Sequence, residues 1–390
     1  MMKVLINSES LRPPLTGIGN YTLHLLQALQ KLPEIQQLDC FDGHTIHAAN
    51  VMLGVQLTPQ STAISQGTTL QQRVREAVRA LPFAYKLRAS WLDYKFAQLV
   101  NQQQYSVYHE PNFILKKHTG PSVTTIHDLS FIHYPQYHPP ERVRWLSQEL
   151  PKTLKRANAI ITDSDFVRRE LLERYNLDEK KVTCVHLGVD SRFKAYSAEQ
   201  TASFLNQHGL VHGRYVLFVG TLEPRKGIDV LLDAWQQQPK HIQEFFTLVL
   251  AGAPGWCNSS LMSRIALMQH QGKVRLLNFV NANDLPLLYA GAAVFAYPSI
   301  YEGFGLPVLE ALASGVKVIC ARDSAMAEFA LNGARLSDPT DCDELAFALQ
   351  EELEGLQQFS EHQYANVNDA KIFTWQACAE KTLAIYKQLQ

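Results

Sequence analysis

The strongest constraint on the fold of this 390-residue chain is a repeated alternation of short apolar runs with longer helix-like stretches. Such alternation is typical of strands joined by crossover helices, which build parallel sheets. The runs form two series, one in each half of the chain, and predict an α/β protein with two Rossmann-like, doubly wound domains. The first series is Lys3–Asn7, Tyr105–His109, Val123–His127, Ala159–Asp163 and Val182–His186. The second series is Tyr215–Gly220, Phe246–Gly252, Val274–Phe279, Ala292–Tyr297 and Val316–Cys320.

The polar segment Asp190–Gly213 separates the two series and is the predicted linker. We therefore expect one domain over residues 1–195 and a second over residues 196–370, with residues 371–390 as a separate C-terminal element. Open α/β sheets bind ligands beyond the carboxyl ends of their strands, so two facing sheets predict a binding cleft. The first half of the chain is basic and the second acidic, which is compatible with different partners for the two domains.

Composition narrows the class of protein. Hydrophobic residues make up 46% of the chain and charged residues 19%, so each domain can bury a core. The 36 Lys and Arg against 37 Asp and Glu argue against a nucleic-acid-binding protein. Six Cys without a CxxC pair argue against a zinc site or a disulfide framework and favour a reducing cytoplasm. No apolar run approaches the roughly 18 residues of a membrane-spanning helix, and the N-terminus predicts a strand, not a signal peptide.

The segment 71–98 combines basic and aromatic residues. Its basic residues are Arg73, Arg75, Arg79, Lys86, Arg88 and Lys95, against two acids, and its aromatic residues are Phe83, Tyr85, Trp91, Tyr94 and Phe96. A helix of this composition can dock on an anionic membrane surface. The alternative is a solvated helix pair that packs its aromatic residues into the core.

The densest candidate site is the block from Tyr301 to Glu310, which reads YEGFGLPVLE and follows a predicted strand. Its glycines turn the chain into a helix whose N-terminal N–H groups can bind phosphate. Pro307 suits the first turn of that helix. Glu302 and Glu310 would be separated by roughly 12 Å along a helix axis, which is enough for one carboxylate to reach a sugar and the other a ribose.

Three further motifs follow predicted strands. Arg225 and Lys226, in the sequence GTLEPRKG, offer a guanidinium fork and a point charge suited to a diphosphate. His127 ends a strand of the first series beside Asp128, where it could hydrogen-bond a substrate; Glu110 and the pair Asp163-Ser164 end neighbouring strands. The sequence GIG after the first strand is not a complete dinucleotide-binding fingerprint, but it permits close backbone approach to a ligand.

Together these motifs resemble the retaining GT-B glycosyltransferases of family 4 (GT4). The Glu-x7-Glu block, the Arg-Lys turn, the strand-end His and the Gly-rich loop occur in the family's order, and the resemblance covers nearly the whole chain. The sequences YHEPN (108–112) and IHDLS (126–130) are similar to those of bacterial mannosyltransferases that build O-antigen or capsular polysaccharide. The resemblance implies that the C-terminal helix within residues 371–390 crosses back to the first domain.

The resemblance also implies roles for residues. Arg225 and Lys226 would neutralise the leaving diphosphate, Glu310 would hold the ribose, and Glu302 would bind the transferred sugar, with His127 orienting that sugar. The implied catalytic residues are Glu302, His127, Arg225 and Lys226. The implied donor-binding residues are Gly17, Gly19, Gly220, Arg225, Lys226, Gly303, Phe304, Gly305, Leu306 and Glu310. Possible acceptor-side residues are Glu110, Asp128, Asp163 and Ser164. No metal or other cofactor is expected, because the two cations would replace it.

The implied function is transfer of a sugar, mannose from GDP-mannose, to a lipid-linked saccharide on the inner face of the membrane, by a cytoplasmic or peripheral enzyme. Four alternatives remain open: a UDP-sugar donor (glucose or N-acetylglucosamine), a non-catalytic nucleotide-sugar-binding subunit, a sugar phosphorylase and a nucleotide-sugar epimerase. The non-catalytic subunit is disfavoured because all five ionisable site residues are present: His127, Arg225, Lys226, Glu302 and Glu310.

Overall fold

The computed structural model describes residues 2–13, 15–57, 84–100, 104–255, 259–330, 333–358 and 370–390. The chain divides into two compact units. Unit 1 consists of Met1–His186 together with Trp375–Gln390, and unit 2 of Leu187–Thr374. Each unit is built around one sheet.

Unit 1 contains a sheet that is parallel except at one edge. Its strands are β1 (Met2–Asn7), β2 (Ile35–Phe41), β3 (Ile46–Ala48), β4 (Val107–Glu110), β5 (Ser122–Ile126), β6 (Ala159–Thr162) and β7 (Val182–Cys184). Within the described residues their order is β3-β2-β1-β4-β5-β6-β7, and only β3 is antiparallel to its neighbour. Strands β4, β5 and β6 are buried at every position, as expected when helices cover both faces of a sheet.

The helices of unit 1 are α1 (Gly17–Leu29), α2 (Ala49–Leu57), α3 (Ala84–Val100), α4 (Ser130–His133), α5 (Pro140–Arg156), α6 (Asp165–Tyr175) and the C-terminal helix (Trp375–Gln388), with 3-10 turns at Glu9–Leu11, Pro135–Tyr137 and Glu179–Lys181. The C-terminal helix packs against α1, where Trp375 stacks on His24 with ring centroids 4.9 Å apart. The Tyr386 hydroxyl also lies 2.6 Å from Nδ1 of His109 on β4. These contacts join the last helix to unit 1.

Unit 2 contains an all-parallel sheet. Its strands are β8 (Tyr215–Val219), β9 (Thr247–Ala251), β10 (Val274–Leu277), β11 (Val294–Tyr297), β12 (Lys317–Ala321) and β13 (Ala334–Ser337). Within the described residues their order is β10-β9-β8-β11-β12-β13. Its helices are α7 (Ala198–Gln207), α8 (Ile228–Gln236), α9 (Lys240–Phe245), α10 (Ser259–His270), α11 (Leu285–Ala290), α12 (Leu306–Ala313) and α13 (Cys342–Gln358), with 3-10 turns at Pro224–Lys226 and Ala325–Glu328.

The prediction of two doubly wound parallel sheets is confirmed, and each of the ten predicted strands overlaps an observed one. The prediction of an irregular linker over Asp190–Gly213 is wrong in part, because Ala198–Gln207 is a helix that belongs to unit 2. A capping box between Ser197 and Gln200 starts this helix. The boundary between the units lies at Leu187, whereas the sequence predicted it after residue 195.

Each sheet has one position where its strand order reverses. In unit 1 this position lies between β1 and β4, and in unit 2 it lies between β8 and β11. Crossover connections leave to opposite faces at such a switch point, so a crevice opens beyond the carboxyl ends of the two strands. The residues that follow β1, β4, β8 and β11 are therefore the ones placed to bind a ligand.

Candidate functional site

The switch point of unit 2 carries a compact group of charged side chains. After β8 the chain makes the turn Pro224–Lys226, which Gly227 closes with φ +69°. A Cβ atom at Gly227 would lie 1.9 Å from the carbonyl oxygen of Pro298, so only glycine permits this approach. The N–H of Ile300 donates to the Arg225 carbonyl at 3.1 Å, which ties the loop after β11 to this turn.

Glu302 lies at the centre of this group. Its Oε1 atom accepts hydrogen bonds from Lys226 Nζ, from Ser299 Oγ at 2.7 Å and from the Tyr297 hydroxyl at 3.1 Å. Arg225 Nη1 lies 4.0 Å from the same oxygen. Within the described part of the chain, no hydrogen bond is made to Oε2 of Glu302. One carboxylate oxygen thus anchors the side chain, and the other remains available to a ligand.

The charges of the group are balanced. Arg225 donates through Nη2 to Glu223 Oε1 at 2.9 Å and through Nη1 to the Tyr301 carbonyl. Burial raises the pKa of Glu302, but the charges of Lys226 and Arg225 outweigh this effect and hold the pKa below its usual range. Glu302 is therefore ionised near neutral pH, and two buried cations lie beside it.

The glycine-containing turn leads directly into α12. Gly305 has φ +100°, and a Cβ atom there would lie 2.4 Å from Cγ of Met326, so both the backbone and the packing favour glycine. Gly303 and Phe304 are buried, and the Phe304 ring packs at 4.7 Å from that of Phe329. The Phe304 side chain therefore belongs to the core of unit 2. Leu306 begins α12 at its N-terminal end.

Glu310 on α12 has different neighbours from Glu302. Burial raises the pKa of Glu310 to about 7, and Asp190 adds to the effect. The Tyr289 hydroxyl and the Arg192 guanidinium oppose this shift only in part. Arg192 itself pairs with Asp190 at 3.0 Å. A carboxyl group with a pKa near 7 can either donate a hydrogen bond to a ribose hydroxyl or accept one from it. The motif spacing did not reveal Arg192 or Asp190.

His127 and Asp163 form a buried pair in unit 1. His127 Nδ1 lies 2.6 Å from Asp163 Oδ2, and Nε2 lies 2.7 Å from the Pro111 carbonyl. Both neighbours are acceptors, so both ring nitrogens donate. Burial lowers the pKa of His127, but the charge of Asp163 outweighs it and raises the pKa above its usual value. His127 thereby fixes the loop that follows β4.

The remaining predicted residues of unit 1 fall into two groups. Asp128 and Ser164 serve local structure: Asp128 Oδ1 accepts from the Ser130 N–H at 3.0 Å, and Ser164 caps α6 by accepting from the Val167 N–H at 3.2 Å. Gly17 and Gly19 open α1. A Cβ atom at Gly19 would lie 2.7 Å from the Ser10 carbonyl oxygen, whereas one at Gly17 would have no neighbour within 4 Å. Only Gly17 thus borders open space.

Glu110 lies at the switch point of unit 1 and is only 2% exposed. Its Oε2 accepts from Asn7 Nδ2 at 2.8 Å and from the Tyr108 hydroxyl at 2.7 Å. Burial raises the pKa of Glu110 to about 7. Sequence reasoning identified Glu110 but missed Asn7, although Asn7 ends β1 and is a polar residue in the position where such sites form.

Within unit 2 the structure thus brings Arg225, Lys226 and Glu302 together at the switch point, and Gly220 directly follows the adjoining strand β8. Glu310 has its own surroundings on α12. Ser299 and Tyr297 complete the anchoring of Glu302, and neither was singled out in the sequence. Their signal is the same as that of Asn7, since they lie at or just after the carboxyl end of a switch-point strand.

Two family models match the chain. Residues 15–193 match Glycosyltransferase Family 4, and residues 203–366 match Glycosyl transferases group 1. The chain is 34% identical to the O-antigen chain mannosyltransferase B of Escherichia coli over 100% of both chains. It is 24% identical to the O-antigen chain mannosyltransferase RfbU of Salmonella typhimurium over 87% of each chain.

The fold has a counterpart among solved structures. Sucrose-phosphate synthase from Thermosynechococcus elongatus superposes with a TM-score of 0.72 at 20% identity and covers 100% of this chain and 99% of its own. At that identity the likeness shows the GT-B fold alone. The family models and the full-length relative show more: the chain belongs to the family 4 glycosyltransferases and is built on the GT-B fold.

Proposed function

We propose that this glycosyltransferase transfers mannose from GDP-mannose to a lipid-linked saccharide during O-antigen synthesis. The observation that carries the proposal is the ionised Glu302 between two buried cations at the switch point of unit 2. The choice of mannose is supported by the relation to O-antigen chain mannosyltransferase B, which extends over the whole of both chains.

The cations of the group suit a diphosphate leaving group. Negative charge develops on the phosphate as the glycosidic bond breaks, and preorganised positive charge stabilises that state. Arg225 and Lys226 are held in place by Glu223 and Glu302, so little reorganisation is needed. We propose that these two side chains do the work that a divalent cation would do, and that transfer proceeds without added metal.

The neighbouring residues would bind the rest of the donor. Oε2 of Glu302 would accept a hydrogen bond from a hydroxyl of the transferred sugar, and Glu310 would hydrogen-bond the ribose. The backbone of Gly303–Leu306 and of Gly220 would contact phosphate and sugar. Gly17 offers a further backbone approach, since its surroundings are open. Both ring nitrogens of His127 are already engaged in hydrogen bonds. His127 would therefore act indirectly, by holding the loop after β4 in the position where that loop orients the sugar.

The proposed reaction retains the anomeric configuration by front-face displacement. The bond from the anomeric carbon to the β-phosphate oxygen breaks, and the acceptor hydroxyl oxygen forms the new bond on the same face. The acceptor proton passes to the departing phosphate, so no enzymic carboxylate becomes a covalent nucleophile. The ion pairs of Glu302 support this assignment, because they make it a poor nucleophile.

We further propose that α3 contributes to binding an anionic membrane surface. Residues 71–83 of the predicted basic segment lie outside the described residues. On α3, Leu87, Trp91 and Tyr94 are 72%, 45% and 63% exposed, while Leu92 and Phe96 on the other side are buried. Lys95 Nζ lies 4.9 Å from the centre of the Trp91 ring. Exposed aromatic and aliphatic residues beside a cation suit a lipid interface. None of the described helices has both the length and the apolar character needed to span a membrane.

The test is a transfer assay with GDP-mannose labelled with ¹³C at the anomeric carbon, octyl α-mannoside as acceptor, and EDTA throughout. The expected product is an α-linked mannoside, identified from its anomeric coupling by NMR. A β-linked product would overturn the retaining mechanism, and a requirement for metal would overturn the role of the cations. Transfer from UDP-glucose but not from GDP-mannose would overturn the donor.

A further inference from the structure

Three side chains that can bind a metal ion lie together beyond the carboxyl ends of β6 and β7 in unit 1. Asp165, Cys184 and His186 each offer one ligand atom, and these three atoms lie within 4.8 Å of one another. In a tetrahedral zinc site, bonds of about 2.0–2.3 Å place neighbouring ligand atoms roughly 3.5 Å apart. Small movements of the side chains would therefore bring the three atoms to the distances that zinc requires.

The pairing of two neighbouring strands positions the cysteine and the histidine. Thr162 at the end of β6 pairs with Cys184 at the end of β7, and the N–H of Val185 donates to the Thr162 carbonyl at 2.8 Å. Side chains two residues apart in an extended chain point to the same side. Cys184 and His186 have this spacing, so the end of β7 can supply two ligands to one ion.

The start of α6 positions the third ligand, Asp165, which is the first residue of that helix. The preceding Ser164 caps the helix by accepting from the Val167 N–H at 3.2 Å. Arg168 Nε donates to the Val182 carbonyl at 2.9 Å, which holds the first turn of α6 against β7. Ligands on strand ends and helix ends that are supported in this way need little reorganisation when an ion binds.

The chemistry of the three ligands suits zinc. Zinc binds thiolate, imidazole and carboxylate groups, whereas Mg²⁺ and Ca²⁺ take oxygen ligands. Binding would displace the thiol proton of Cys184 into solvent, and the cation would offset the repulsion between the thiolate and the nearby carboxylate. Cys184 and His186 are partly exposed and Asp165 is exposed, so the ion and a water molecule can reach the group.

A buried carboxyl group adds to the field around His186. Asp163 is 3% exposed and interacts electrostatically with His186. Its Oδ2 lies 2.6 Å from His127 Nδ1, while its Oδ1 has no hydrogen-bond partner among the residues that the structure describes. Carboxylates commonly stand behind the imidazoles that bind metal ions. A cation bound by His186 would therefore be favoured by this neighbour as well.

We propose that Asp165, Cys184 and His186 bind one zinc ion, with water as the fourth ligand. The absence of a CxxC pair argued against a zinc site, but the fold assembles these ligands from the start of α6 and the end of β7. Each unit has its own buried core, so we expect zinc to stabilise a chain that folds without it. The inference is independent of the proposed function, which assigns the donor to Arg225 and Lys226 of unit 2.

The test is titration of the metal-free wild-type chain with Co²⁺, which replaces Zn²⁺ in tetrahedral sites and reports a thiolate ligand through a charge-transfer absorption band. We expect one Co²⁺ per chain, displaced by Zn²⁺ but not by an equal concentration of Mg²⁺ or Ca²⁺. Cys184→Ser and His186→Gln should each weaken the binding of both Co²⁺ and Zn²⁺ at least about tenfold. The matched controls Cys342→Ser and His241→Gln, at surface positions of unit 2, should bind as the wild type does.

Alkylation of the wild-type chain gives a second readout that needs no variant. Iodoacetamide should label Cys184 at least about tenfold more slowly with Zn²⁺ than in EDTA, as mass spectrometry measures, while Cys342 should be labelled equally in both. The proposal is overturned if the wild type binds neither ion, if Cys184→Ser and His186→Gln bind both ions as the wild type does, if Mg²⁺ or Ca²⁺ displaces Co²⁺, or if Zn²⁺ leaves the labelling of Cys184 unchanged. Transfer from GDP-mannose in EDTA reports separately on the proposed function.

Discussion

The two switch points of the molecule have the same topology and opposite chemistry. In unit 1 the neighbours β1 and β4 bring Asn7 against Glu110, and in unit 2 the neighbours β8 and β11 bring the turn with Lys226 against Glu302. Both carboxyl groups receive donors on one oxygen. The donors to Glu110 are neutral, whereas those to Glu302 include a cation.

This difference decides the charge of each carboxyl group. Burial acts on both in the same direction, toward the neutral form. The pKa of Glu110 rises to about 7, while Lys226 and Arg225 hold that of Glu302 below its usual range. The strand order therefore brings a carboxyl group to each site, and the donors that contact this group determine whether it is ionised.

The largest expected effect is that of removing one of the two cations, Lys226, from the unit 2 site. Lys226→Met should reduce the turnover of transfer by about 10²–10³-fold, because the leaving phosphate loses a preorganised charge. Turnover is measured with GDP-mannose and octyl α-mannoside. Lys240→Met, at an exposed lysine on α9, is the matched control and should leave turnover unchanged. Near-normal turnover in folded Lys226→Met would remove the cation from the mechanism.

A somewhat smaller effect is expected for the carboxyl group of the same site. Glu302→Ala should keep the fold and the binding of GDP, but transfer should fall by about 10²-fold, since the proposed partner of Glu302 is the sugar and not the nucleotide. Calorimetry with GDP and the transfer assay separate the two effects. Equal losses in GDP binding and in transfer would mean that Glu302 mainly supports the phosphate site.

The raised pKa of Glu110 at the unit 1 switch point should make the stability of the protein depend on pH. Folded Glu110 keeps its proton up to a pKa of about 7, while the unfolded chain releases it near the ordinary value of 4.5. The wild type should therefore lose stability relative to Glu110→Gln as pH rises from about 4.5 to 7. The full difference should be about 3 kcal/mol in the free energy of unfolding.

Urea unfolding of both proteins at pH 5 and pH 8 measures most of this difference. Glu9 and Lys116, the charged groups that act on Glu110, are present in both proteins and oppose each other. A stability difference that does not change with pH would mean that Glu110 is ionised throughout, like Glu302, and the contrast between the two sites would fail.

The smallest expected effect concerns the exposed face of α3. Replacing Leu87, Trp91 and Tyr94 with Ser should weaken sedimentation with phosphatidylglycerol-containing vesicles several-fold, because apolar contact area is lost. The matched control replaces Val211, Leu267 and Phe279, which are exposed hydrophobic residues of unit 2. Equal vesicle binding by the two triple variants would assign any membrane contact to another part of the chain.

The sequence predicted both sheets, because fully buried parallel strands are continuous apolar runs. It missed β2, β3 and β13, whose residues are only partly buried or exposed at several positions. It also missed the helix Ala198–Gln207, since the polar composition of that segment concealed its apolar face. Its cap at Ser197 was the available signal.

The sequence likewise predicted some residues of the candidate site and missed others. Arg225, Lys226 and Glu302 stood in recognisable motifs, and the structure joins them. Asn7, Ser299 and Arg192 have no motif, because their positions depend on which strands become neighbours. Ser164 was selected for its place at a strand end, but its hydroxyl caps a helix. Sequence position alone does not distinguish a ligand contact from a cap.

The central claim is that unit 2 binds GDP-mannose through its two cations without a metal ion. Isothermal titration in EDTA with GDP-mannose, UDP-glucose and UDP-N-acetylglucosamine, on the wild type and on Lys226→Met, tests it most directly. We predict that the wild type binds GDP-mannose in preference to both UDP-sugars and that Lys226→Met loses most of that affinity. Preference for a UDP-sugar, or unchanged GDP-mannose affinity in Lys226→Met, would contradict the claim.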